Sequence, residues 1–179
     1  MFDVRDSAVP SSFHGAVGGF VELVGTVPAG RLAEPALGTW TLAGASPPGS
    51  DARRKRDESI AERGKKAGAA LGVDPATAVR ALAERVTALV DATEDETPMA
   101  TAAGRMTLVG YLPTRTFELV VHSLDLAGAL DLSVPPTLGP AIAASTALAG
   151  EIAAARPDAP LVLLAPCGRR NLPATFSVA

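Results

Sequence analysis

The sequence predicts a mainly helical protein with one domain, and three observations carry that expectation. Hydrophobic residues make up 47% of the 179 positions while aromatics make up only 4%, and the apolar share is rich in alanine, the best helix former. Apolar side chains recur at helical spacing in several separate stretches. The 17 glycines and 15 prolines cut those stretches into moderate lengths. A chain of this length buries a proper core by itself, so one domain over 1–179 is expected.

The first predicted helix lies within Phe2 to Val24, with Phe13, Val17, Phe20, Val21 and Val24 as its packing face. Pro10 is expected to break or kink it, Gly15, Gly18 and Gly19 each cost about 1 kcal/mol against alanine, and Ser11 or Ser12 offers a cap for a later start. VPAGRLAEPALGTW then reads as a connection whose Trp40 plugs the bundle end. From Leu42 to Asp57 the adjacent Pro47 and Pro48 and the run Arg53, Arg54, Lys55, Arg56 read as an irregular basic linker. A helix is expected from Ser59 to Leu71, ending at Gly72. Asp74 caps a stronger one, with Pro75 in its first turn and Val79, Leu82, Val86, Leu89 and Val90 along one side. The acidic run from Asp91 to Thr97 ends it as a solvated turn, and Thr101 to Val109 reads as a short extended or irregular lead.

The central helix is expected from Tyr111 to Leu130, because Pro113 fits a first turn and no further proline interrupts the segment. Next come a proline-rich connection and an alanine-heavy helix from Pro140 to Ala155, stopped by Pro157. Leu161 to Ala165 is a short apolar run that reads either as a strand or as a covering segment; as a strand it would pair with TFSVA at the C-terminus.

The central segment concentrates the polar chemistry. Arg115, Glu118, His122 and Asp125 recur at steps of three, four and three, which puts them in one stripe of a helix that is otherwise apolar and expected to be buried on most sides. Three readings compete. In one, Arg115 pairs with Glu118 and Asp125 accepts from His122 or a backbone N–H, a charge ladder with no further role. In another, Glu118 and His122 converge as metal ligands, supported by Asp125 or Arg115, although two ligands do not close a divalent site. In the last, Glu118 and His122 act as base and acid without metal, but no nucleophile stands beside them.

LPTRTFELVVHSLDLA, together with LGTW at Leu37 to Trp40, the segment from Pro75 and the closing GRRNLPATFSV, resembles the metal-binding N-terminal domain of the mycothiol-dependent maleylpyruvate isomerases, and the resemblance covers most of the chain. It implies a DinB-like, up-and-down four-helix bundle holding a divalent metal, usually zinc, through a histidine on the second helix plus the later glutamate and histidine. Glu118 and His122 would be those two ligands, and Arg115 would orient Glu118. The resemblance further implies mycothiol as a thiol cosubstrate and a small organic acid as substrate. The chain departs from the pattern just after Trp40: where the family continues into a helix carrying its first histidine ligand, this sequence reads TLAGASPPGSDARRKRDESIAERG, without a histidine, so that helix is expected to be missing; the only other imidazole, His14, lies outside the family's ligand position. A non-catalytic helical partner-binding or degenerate module without metal is the competing expectation. Loss of a bundle helix would expose apolar surface, which makes a homodimer an expected consequence.

Charge and cysteine usage narrow the remaining classes. A net charge of −3 gives no global pull toward nucleic acid or membrane. The single cysteine, Cys167, cannot form an intrachain disulfide and fits a reducing compartment; in its PCGRR turn it reads as an incidental thiol. No signal-like leader and no run of about twenty apolar residues is present, so the expected location is cytoplasmic. Phosphate-cradling loops and nucleophile elbows are absent from the sequence.

Overall fold

The computed structural model describes residues 5–28, 51–101, 104–173 and 176–178. In chain order these form α1 (Arg5–Thr26), α2 (Asp51–Ala70), α3 (Pro75–Asp91), the strands β1 (Pro98–Thr101) and β2 (Gly104–Thr107), α4 (Leu108–Leu130), a 3-10 turn (Pro136–Leu138), α5 (Gly139–Ala154) and α6 (Ala159–Leu164). The fold is mainly helical. Trp40 and most of the expected basic linker lie outside the described residues. The linker's end does not: α2 begins at Asp51, so Arg53 to Arg56 belong to its first turns. Glu62 and Lys66 stand at the stabilising i, i+4 spacing.

α1 begins at Arg5, within the expected Phe2 to Val24 stretch and before the alternative start at Ser11 or Ser12, and it contains Pro10 in its second turn. The missing N–H and the ring cost about 3 kcal/mol in a helix interior. Burial along the rest of the helix offsets that cost: Phe13, Ala16, Val17, Leu23 and Val24 are all buried, as is Val27 just past its end. α1 packs most extensively on α4 and also on α3, α5 and the 3-10 turn. One core cluster joins Phe13 and Val17 to Leu108 and Leu112, with Val90 of α3 and Met99 of β1 against it. A second joins Ala16, Val120, Leu138 and Ala141. Fully burying Leu23, Leu112 and Leu138 contributes about 1.5–3 kcal/mol each.

The strand pair is a hairpin before α4, with Pro98 opposite Thr107 and Thr101 opposite Gly104. A C-terminal strand pair is not formed: 159–164 is a helix, and 176–178 has no regular structure. Pro160 in the first turn of α6 suits a helix start, and an isolated five-residue apolar run has no neighbouring strand edge to extend. Arg156 holds the chain end instead, donating to the Ser177 carbonyl at 3.0 Å, pairing with Asp158 at 3.1 Å and lying over the Phe176 ring.

α3 matches its sequence signals: Asp74 accepts from the Thr77 N–H at 3.1 Å, and Pro75 opens the helix. Its apolar stripe is only partly used, since Ala83 and Val90 reach the core while Leu82, Val86 and Leu89 are exposed. α4 begins three residues before the expected Tyr111, because Thr107 caps it by accepting from the Gly110 N–H. It ends at Asp131, whose φ of 54° is a left-handed cap that aspartate tolerates.

Gly19 makes the closest approach of α1 to the 3-10 turn. A Cβ there would overlap the Leu138 side chain and come within 3.2 Å of the Leu138 backbone nitrogen, whereas one at Gly18 would meet nothing within 4 Å. Gly19→Ala is therefore expected to destabilise by about 1–3 kcal/mol despite alanine's helix propensity, and Gly18→Ala to stabilise by up to about 1 kcal/mol. Chemical denaturation of the two variants checks the contrast. Asp74 supplies a pH test. Hydrogen bonds from the Thr77 side chain and then its backbone, helped by Arg80 and opposed by desolvation, hold its carboxyl below the ordinary value. The cap's contribution is full above the unfolded carboxylate pKa and fades as pH falls through the lower folded value. Carboxyl NMR titration of Asp74 and a shallower acid limb of the stability profile in Asp74→Asn check the sign.

Candidate functional site

α4 carries its buried residues Leu112, Thr116, Val120, Ser123 and Ala127 in one stripe that faces α1 and α5. At 3.6 residues per turn, Glu118, His122 and Asp125 fall on the other side of the helix. The helix is covered on most sides as expected, since only Gly110, Leu124, Gly128 and Ala129 of its residues are exposed, but the seam is partly solvated instead of fully interior. Two lines of apolar residues flank the seam in sequence, and docking of α1 selects the line through Val120 and leaves Leu124 39% exposed.

Within the seam the helix does bring Glu118 and His122 together. Glu118 Oε2 and His122 Nε2 are 3.6 Å apart, with the side chains 28% and 37% exposed. That separation is an ion-pair distance too long for a hydrogen bond. Arg115 does not pair with Glu118. Its guanidinium lies 4.9 Å from the centre of the Tyr111 ring, and its Nε donates to Thr114 Oγ1 at 3.2 Å. This removes the Arg115–Glu118 rung of the charge ladder and the idea that Arg115 orients the glutamate: Tyr111 one turn earlier gives the planar cation a π face that competes with a partly exposed carboxylate. Asp125 keeps a buried oxygen, Oδ2, that accepts no hydrogen bond.

His14 is engaged elsewhere. Its Nε2 is 3.1 Å from Asp91 Oδ1, an ion-pair contact between α1 and α3 without hydrogen-bond alignment. Sequence reading passed over Asp91 because it opens an acidic run that looks like a solvated turn. Cys167 is a free, exposed thiol in the turn after α6. Among the described residues no three His, Cys, Asp or Glu side chains form a group that could hold a metal ion.

Comparison with known protein families places this mainly helical chain in a class. Residues 20–127, more than half of the chain, match the family described as the mycothiol maleylpyruvate isomerase N-terminal domain, and the chain belongs to that family. The match spans Glu118 and His122. No curated protein and no solved structure matches the chain. Among the described residues, no helix is long and apolar enough to cross a membrane.

The Arg115 geometry has a measurable consequence. Arg115→Ala removes the contact with Tyr111 and is expected to cost about 0.5–1 kcal/mol of stability. It leaves the Glu118 and His122 side-chain NMR signals near their parent positions. Large shifts of both signals would show that Arg115 contacts the pair after all.

Proposed function

We propose that this chain is a reduced member of its family, in which the divalent-metal site has shrunk to the Glu118 and His122 pair and no longer supports thiol-dependent isomerisation unaided. The observation behind this reading is the 3.6 Å pair, standing partly exposed without a third His, Cys, Asp or Glu grouped with it among the described residues. The two histidines of the whole sequence are accounted for, one in the pair and one against Asp91.

The donor set fails the test for a resident zinc ion. A catalytic zinc takes three protein ligands and keeps a fourth position for water or substrate. Two ligands on a partly exposed surface leave several positions to water, and the cation exchanges freely. No step of an isomerase mechanism is therefore assigned to these residues. The pair can still attract a divalent cation weakly, as an imidazole beside a carboxylate does, and the family's thiol and organic-acid chemistry requires a ligand that these residues do not supply. With Leu82, Val86 and Leu89 exposed along α3, the chain is better suited to acting as a helical module that docks on another protein surface, including a second copy of itself, than to catalysis by itself.

Zinc titration followed by calorimetry tests this reading. The parent chain is expected to bind zinc only in the high micromolar range or weaker, with binding lost in both Glu118→Ala and His122→Ala. Stoichiometric zinc retained through gel filtration, together with turnover of maleylpyruvate in the presence of mycothiol, would overturn it. Tight zinc that survives both substitutions would place the metal elsewhere and remove the pair's role.

A further inference from the structure

Glu118 and His122 have the spacing of half a metal site. With zinc–ligand distances of about 2.0–2.2 Å, two ligands of a tetrahedral ion stand roughly 3.3–3.6 Å apart, whereas neighbouring ligands of an octahedral ion at about 2.1 Å stand roughly 3.0 Å apart. Glu118 Oε2 and His122 Nε2 are separated by 3.6 Å, which suits the tetrahedron and is too long for a hydrogen bond between them. The i, i+4 step on α4 sets that spacing, and both side chains are partly exposed. His122 buries Nδ1, so Nε2 is the nitrogen that meets the carboxylate.

The chain holds no second half site of the same kind. Zinc favours nitrogen and sulfur ligands, and the whole sequence has two histidines and one cysteine. His14 stands against Asp91 between α1 and α3, and Cys167 lies in the turn after α6. Among the described residues no third His, Cys, Asp or Glu groups with the pair. A second copy of the chain brings another imidazole and another carboxylate together, already at the required separation.

We propose that two copies of this chain close one tetrahedral zinc site between them, each supplying Glu118 and His122 across a two-fold axis. The inference rests on the reading that one chain supplies two ligands: a second copy replaces the water that otherwise completes the shell. Two carboxylates cancel the charge of the ion and both imidazoles are neutral, so the closed site carries no net charge out of water. Without the ion the same contact sets two Glu118 carboxylates against each other, and each chain carries a net charge of −3, so association through this face follows the metal. Gly128 and Ala129, in the turns that follow His122, are exposed and small, which lets a second helix approach that part of α4. With four protein ligands and no open position, the ion is structural: it assembles the chains and performs no reaction.

Small-angle X-ray scattering of the full chain with zinc chloride tests the bridge. At about 1 mM chain, above the high micromolar affinity expected of one chain alone, half an equivalent of zinc should raise the scattering mass twofold, and excess EDTA should restore the metal-free value. Glu118→Ala and His122→Ala, each shown to be folded by circular dichroism, should keep the metal-free mass. Cobalt(II) in place of zinc reads the ligand geometry. The parent should develop the strong visible absorption of four-coordinate cobalt, with its plateau at one ion per two chains; an ion held by one chain and water gives only the weak absorption of six-coordinate cobalt. If the dilute parent binds zinc through both residues yet its mass stays constant at high concentration, the bridge is overturned and the two-ligand reading stands. Zinc binding that neither substitution affects would remove both. A zinc-dependent twofold mass in either variant, or a cobalt plateau at one ion per chain, would likewise overturn the bridge.

Discussion

The structure depends on how closely α1 can approach the turn that precedes α5. Leu138 is completely buried, and it occupies the notch that Gly19 leaves on α1. That contact ties the ends of the chain together, because Ala16 on the same helix then reaches Val120 of α4 and Ala141 of α5. Thr137 beside it donates to Glu22 at 2.6 Å, giving the close approach a polar latch across 115 residues of sequence. Small residues at the contact bring the backbones near each other, and the large side chains lie above and below it.

The same packing decides what the polar seam of α4 can do. A helix with apolar residues on nearly every side has several faces that could turn inward, and the neighbour that docks first chooses among them. Here α1 and α5 cover the stripe from Leu112 to Ala127, so Glu118 and His122 stand in a partly solvated setting. Water competes for both groups there, and their mutual attraction is correspondingly modest. The pair lies within the stretch that matches the family, and its partly solvated surroundings set how strongly the two groups interact.

Local signals were legible where they act over one helical turn. Asp74 followed by Pro75 announces α3, and the steps from Glu118 to His122 to Asp125 do share one side of α4. Long-range choices were not legible. Pro10 reads as a breaker, yet the burial of Phe13, Val17 and Leu23 carries α1 through it. The run after Pro160 is apolar enough for a strand, and only the lack of a partner edge makes it a helix. Arg115 had a carboxylate and an aromatic ring at equivalent spacing, and nothing in the spacing ranks one above the other.

α2 stands apart energetically. Every side chain described along Asp51–Ala70 is exposed, and the helix forms no extensive contact with the other elements described. The described part of α2 gains little from burial, whereas the backbone hydrogen bonds of α1 and α4 open only when the core comes apart. Amide exchange should thus divide the molecule into two cooperative units. A protease attacking the native protein would meet the fast-opening unit first, cutting within α2 while the packed helices remain folded.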